Sequence, residues 1–334
     1  MSAGVDLARV STLERARSGR RAIRRDRLVA FLMLLPSLVA IAVFVYGFIA
    51  YTGYVSLSNY TTSRPDFTFI GFDNYIQLFN QRRFQENIRN LIVFTAFFLV
   101  VCLLFGLFLA LLVDSRVKGE SIFRSIYLFP MAVSFIVTGV AWRWLFTPGD
   151  LEPTGLNLLF ESLGLGFLKA RWIADTSVWP NIEVTGLKVR LLIPLAIIPV
   201  VVAAVWQMSG FCMAMYLAGL RGIPEEIKEA ARVDGCSELQ VLRHITLPLL
   251  RPITLSAIIV LTHISLKTFD LIMTMTGGGP GNKTELPSLY MYELRFSQFN
   301  TAGAAAVATI LLLTVSVLIV PYLVYNRRAQ SIER

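Results

Sequence analysis

Between Leu28 and Leu57 the chain carries no charged side chain. As a helix, that run would rise about 45 Å at ~1.5 Å per residue, against ~30 Å for the hydrocarbon core of a bilayer. A segment so long and so apolar points to a membrane fold. We read it as an uncleaved first span over about 28–52, because a secretory signal would have a shorter apolar stretch and a cleavage site of small residues. Ahead of it, residues 1–27 hold eight arginines against three acids, with no apolar periodicity. Basic excess beside a span marks the cytoplasmic side, so Arg20 to Arg27 are expected to hold the start of the helix inside.

Only 16% of the residues are charged, where a soluble domain has about a quarter, and 55% are hydrophobic. Most of the chain is therefore expected to be solvated by lipid. The net charge of +9 lies largely in the N-terminal tail. It serves as a topology signal and does not imply a nucleic-acid partner. The three cysteines, Cys102, Cys212 and Cys236, show neither a pairing pattern nor metal-ligand spacing.

Five further spans are expected, at about 91–113, 125–146, 198–219, 252–274 and 301–325. Arg116 and Lys118 mark the turn after the second as cytoplasmic. Trp142 and Trp144 suit the interface at the outer end of the third, and Arg143 can snorkel between them. Pro194 and Pro199 bend the approach to the fourth. Six spans leave both termini inside, with a short tail at 327–334. The fold class is thus an all-α membrane protein with six transmembrane helices and one substantial charged loop, 221–251.

That loop has five basic and five acidic residues from Arg221 to Arg251, flanked by apolar runs. Pro224 is placed to open a helix, and Glu225, Glu226 and Glu229 complement its macrodipole. Gly235 is a natural stop. A second short helix is expected from about Ser237 to His244, ending at Leu247-Pro248. A short helix, a glycine hinge and a second helix at a membrane border have the form of a docking element for a soluble partner.

The loop resembles the EAA loop of ABC importer permeases at every defined position. Glu229-Ala230-Ala231 is followed after three residues by Gly235, then after nine by Ile245, and then by Leu247-Pro248. Phe269 to Phe296 resembles the "FD…MTGGGP" region of carbohydrate importer permeases of the maltose-permease type. Gly71 to Tyr75 resembles their "GxxNY" outer loop. Ile126 to Gly149, Ala204 to Pro224 and Thr262 to Leu271 are similar to glucose/mannose importer permeases. The likeness covers roughly residues 30 to 326, with Asn181 to Arg190 as an apparent insertion.

The resemblance implies the type I ABC importer permease fold, in a bacterial or archaeal cytoplasmic membrane. It implies four kinds of partner: a second, homologous permease, two ATPase subunits, an extracytoplasmic sugar-binding protein and the sugar itself. ATP and Mg²⁺ would be bound by the ATPase, and no cofactor is expected in this chain, which has no P-loop pattern. Glu229 would pair with a basic group on the ATPase, and the small Ala230 and Ala231 would permit close approach.

No catalytic constellation stands out, and the two histidines, His244 and His263, form no enzyme motif. His263, Lys267, Asp270 and Thr274 are spaced to share one face of a fifth-span helix. A lysine within the bilayer costs roughly 2.5 kcal/mol or more unless it is paired or hydrated. Two readings are open: the stripe lines a water-filled sugar path, or Lys267 and Asp270 pair against a neighbouring helix. Phe269 is suited either to stacking on a sugar or to packing. An ion-coupled secondary sugar transporter, a permease for another saccharide or glycerol phosphate, and a membrane receptor or enzyme are the alternatives. The secondary transporter and the receptor or enzyme would work without an ATPase, and neither accounts for the charged loop.

Overall fold

The computed structural model describes residues 30–61, 63–115, 119–149, 152–183 and 190–332. The arginine-rich tail 1–27, Arg116 and Lys118 lie outside the described residues. The chain divides into two compact units, residues 1–55 and 56–334. The described part of the first is almost entirely the helix α1, Ala30–Ser56, with a π-helical turn at Ala42–Gly47. Its side chains are apolar and exposed over nearly its whole length, as a span in contact with lipid requires.

The second unit is built on two long helices. After α2, Asp73–Asn80, comes α3, Arg82–Asp114; the other is α7, Ile197–Arg221. α3 begins nine residues before the expected second span, because the polar stretch from Arg82 to Asn90 is also helical. α3 and α7 pack closely through Phe94, Phe98, Cys102, Ala203, Ala204 and Cys212. Gly106 sets the approach: a Cβ there would come 2.4 Å from that of Cys212. Cys102 and Cys212, without a pairing pattern in sequence, meet here with their Sγ atoms 3.5 Å apart as free thiols.

Two expected spans are broken. The third is a pair of helices, α4, Glu120–Ala132, and α5, Phe135–Phe146, meeting at 98°. Pro130 removes a helical N–H near the end of α4, and the Ser134 side chain accepts from the Val137 N–H to start α5 afresh. Trp144 is exposed, as an interfacial indole should be. Trp142 instead packs inward, on Trp206 and Phe146.

The fifth expected span is preceded by α9, Glu238–Leu249, bent by 61° from α10, Arg251–Leu266. Prolines near the bend, Pro248 and Pro252, cannot donate across it. α10 stops at Leu266, three residues are non-helical, and α11 runs only from Asp270 to Met275. Four helices, α1, α3, α7 and α13, Thr301–Ile332, are long and apolar enough to cross a membrane. The number rises to six among the described residues if each bent pair is one span. α13 continues past the expected end at Tyr325.

The segment before α7 departs from the all-α expectation. It contains α6, Gly155–Ser162, and an antiparallel hairpin of β1, Val178–Glu183, and β2, Arg190–Pro194, whose register slips between Trp179 and Ile182. The apparent insertion Asn181–Arg190 is the distal part of this hairpin, with 184–189 outside the described residues. A hairpin satisfies its backbone by cross-strand bonds, and its second strand, β2, also lies against α3 and α7.

Candidate functional site

The charged loop folds as α8, Glu225–Val233, followed by α9. The Pro224 carbonyl accepts from the Ile227 N–H at 3.3 Å, and Glu225 and Glu226 occupy the first turn. Gly235 has φ +86°, with its N–H on the Arg232 carbonyl at 3.0 Å; the Cys236 N–H reaches the Ala231 carbonyl at 3.0 Å. These are the paired bonds of a Schellman stop. No atom lies within 4 Å of a Cβ built on Gly235, so glycine is needed there for its backbone angle and not for space. Gln240 then accepts from the Ser237 N–H at 2.7 Å and opens α9. α9 reaches the expected Leu247-Pro248 and goes one residue beyond. It loosens into a π-turn at Leu242–Thr246, carries on through Ile245, Leu247 and Pro248, and ends at Leu249.

Arg232 joins the two helices, bonding Glu225 at 3.1 Å and Glu238 at 2.7 Å, while Lys228 adds a 3.1 Å pair to Glu225. The hydrogen bonds from Arg232 hold the Glu225 and Glu238 carboxyls below the usual range. Glu229, Ala230 and Leu247 are exposed, Ile245 and Pro248 are half-buried, and Ala231 is buried. The two alanines therefore differ. Ala230 leaves room for something outside the chain, whereas Ala231 fits the loop's own packing. Val233 and Leu239 stand 87% and 73% exposed beside them, an apolar pair on a charged surface.

Behind the loop lies an open cavity of about 1280 Å³, bounded by the end of α3 at Asp114, the start of α4 at Glu120, and the end of α7 at Arg221. Arg221 donates to Glu120 at 2.6 Å across it. The Glu120 contact has no signal in sequence, since its partner is 101 residues away.

The three-residue break between α10 and α11 forms a second, smaller cavity of about 180 Å³. His263, Lys267, Phe269 and Asp270 all line it, together with Phe135 and Thr268, which sequence reasoning passed over. The Lys267 ammonium faces His263 Nε2 at 3.4 Å. His263 Nδ1 is buried without a hydrogen-bond partner. No ion pair links Lys267 to Asp270 among the described residues, so the structural pairing is not made. Nor do the four polar residues share one helix, because α10 ends before Lys267 and Asp270 opens α11. Thr274 turns away, donating to the Asp270 carbonyl and packing where a Cβ on Gly139 of α5 would clash. Phe269 packs on Tyr292 with ring centroids 5.2 Å apart.

Long apolar helices, two further helix pairs bent at a break, and a charged helix–turn–helix are the features of a membrane-embedded permease. Residues 102–330 match the family of binding-protein-dependent transport system inner membrane components, and the chain belongs to that family. It is 40% identical over 300 residues to a probable ABC transporter permease of Pyrococcus horikoshii, covering 90% of this chain and 96% of that one. It is 33% identical over 290 residues to the xylose/arabinose import permease XacH of Haloferax volcanii, covering 86% and 84%. In fold it resembles a crystal structure of a bacterial ABC transporter involved in import of the acidic polysaccharide alginate. The TM-score is 0.71 at 20% identity, over 94% of this chain and 99% of that chain. It is thus a multi-pass component of a transport system and not itself an enzyme.

Proposed function

We propose that this chain is a permease subunit of a binding-protein-dependent sugar importer, with glucose or mannose as the first substrates to test. The xylose/arabinose relative supports a sugar, and the likeness of the Ile126–Gly149 and Ala204–Pro224 runs supports a hexose. Its complex would contain a second permease, two ATPase subunits and an extracytoplasmic sugar-binding protein, with both termini of this chain in the cytoplasm.

The observation that carries the mechanism is the exposed face of α8. Glu229, with no partner among the described residues, and Ala230 are presented beside Val233 and Leu239, above a helix stop fixed by Gly235. A rigid helix held to α9 by Arg232 can pass a push from an ATPase through Ile245, Leu247 and Pro248 into α10. At the other end of α10, Lys267 and Asp270 are exposed on the isolated chain. Unpaired charges at that depth are too costly to face lipid, so they are placed to face water, sugar or the second permease. His263, with an orphaned buried nitrogen, adds a polar group able to bond a hydroxyl. Alternating access then consists of α8 moving as a lever while the broken fifth span exposes this lining to one side and then the other.

The test is ATP hydrolysis by the reconstituted complex with its binding protein, measured against a panel of sugars. Stimulation by glucose or mannose, with accumulation of the sugar in vesicles, is expected. Stimulation only by pentoses or oligosaccharides would overturn the hexose assignment, and accumulation driven by an ion gradient without ATP would overturn the mechanism.

A further inference from the structure

The far end of α3 carries a buried clamp that the transport cycle just described does not use. Arg83 grips Glu285 with two bonds, Nε to Oε2 at 2.9 Å and Nη2 to Oε1 at 2.6 Å, and also bonds Glu293. Its guanidinium sits 5.0 Å from the centre of the Tyr290 ring. Two turns on, the Asn90 side chain donates to the carbonyls of Asn282 and Glu285, at 3.0 and 2.9 Å. Glu285 lies in the turn after the glycine run and Glu293 in α12, Pro287–Phe296. α3 therefore fixes α12 at several points.

α12 in turn fixes the break in the fifth span. Ser288 Oγ donates to the Thr268 carbonyl at 2.6 Å, within the non-helical stretch between α10 and α11. Tyr292 packs on Phe269. Thr268 and Phe269 are both walls of the small cavity. We infer that Arg83 is a positioning residue: through α12 it sets where Thr268 and Phe269 stand, and hence the shape of the cavity beside Lys267. The inference rests on reading that cavity as part of the sugar path only for its consequence in transport.

A clamp of this kind is poorly explained by stability alone. The Glu285 side chain is 1% exposed, and a buried ion pair is often no better for stability than apolar residues of the same size. What a two-point arginine–carboxylate fork does supply is fixed geometry. The two carboxylates leave α12 little freedom to rotate or slide along α3.

The test uses the assembled importer with Lys267→Cys introduced, alongside the native exposed Cys236 in the turn between α8 and α9. Maleimide labelling rates at both positions are compared in three backgrounds: unaltered, Arg83→Met/Glu285→Leu, and Arg83→Lys. The double change removes the buried Glu285 charge together with Arg83 and leaves only the partly exposed Glu293 without its arginine, so assembly is expected to survive. A change of at least threefold at position 267, with Cys236 unchanged and a smaller change for Arg83→Lys, is expected. Equal labelling at position 267 in the unaltered and doubly changed complexes would overturn the inference. So would a parallel change at Cys236, which signals general loosening. Protection of position 267 by sugar is a separate measurement. Its absence would count against the sugar path while leaving the positioning result standing.

Discussion

At its Arg82 end, α3 meets a carboxylate that is almost wholly buried, held by a two-point fork, with a second acid and an aromatic ring around the same guanidinium. About 50 Å away along the same helix, at ~1.5 Å per residue, its Asp114 end borders a loop where Arg232 bridges two exposed acids. Both are arginines between two carboxylates, but their consequences differ. Burial at the first makes each partner indispensable to the other, because removing one strands a charge away from water. Exposure at the second lets water replace any lost partner, so the loop can shift without a large penalty. The two ends of α3 thus differ in what holds them: water-accessible ion pairs at the loop, a buried clamp at the far end.

The largest effect that would break this comparison is Arg83→Ala. It leaves Glu285 buried and unpaired and should destabilise the protein by about 3 kcal/mol. Thermal unfolding of the purified protein checks this. A loss no greater than that for Arg232→Ala would make the two ends equivalent.

The two alanines of the loop sharpen the coupling end. Ala231→Trp forces an indole into a buried site and should cost about 2 kcal/mol through overpacking, with poor assembly. Ala230→Trp, on the exposed face, should leave folding intact while ATP hydrolysis continues with little transport. Normal transport by the Ala230→Trp complex would remove α8 from the coupling path.

The smallest effect is in pH dependence, and its sign differs between the ends. Burial raises the Glu285 carboxyl above its ordinary value, against the pull of Arg83. A raised acid contributes stability that is fully present below the unfolded value and is lost as pH rises through the folded one. Glu225 and Glu238 are lowered by bonds from Arg232, so their contribution is present above the unfolded value and lost as pH falls through the folded one. Comparing unfolding from about pH 7 to about pH 3, the advantage of the native chain over Glu285→Gln should grow on acidification. Its advantage over Glu225→Gln should shrink. Slopes of the same sign would mean that the clamp is solvated like the loop.

Much of the coupling end is legible in the amino-acid order. Pro224, Glu225 and Gly235 act through backbone angle, dipole and capping within a few residues of themselves, so α8 and its stop follow from local chemistry. The far cavity is legible only as a set of residues. His263, Lys267, Phe269 and Asp270 do line one space, but the shared helical face expected for the polar ones fails, and of the two open readings the Lys267–Asp270 pair is not made among the described residues. The assumption of a continuous helix gave no warning of the break at Lys267–Phe269. Phe135 and Thr268 are invisible for the same reason, since each joins the lining only because a helix stops beside it.

The sequence by itself determined that the chain is membrane-bound, about where its long helices run, and which loop carries the capped, charged helix. Charge-free length, capping residues and basic flanks act locally or against the bilayer as solvent. Only the tertiary structure decided that the third span bends by 98°, that Cys102 meets Cys212, and that Arg83 closes on Glu285 across 202 residues. Those depend on which helix faces pack together, and packing is set by shape and burial summed over the whole bundle, which no short stretch of chain contains.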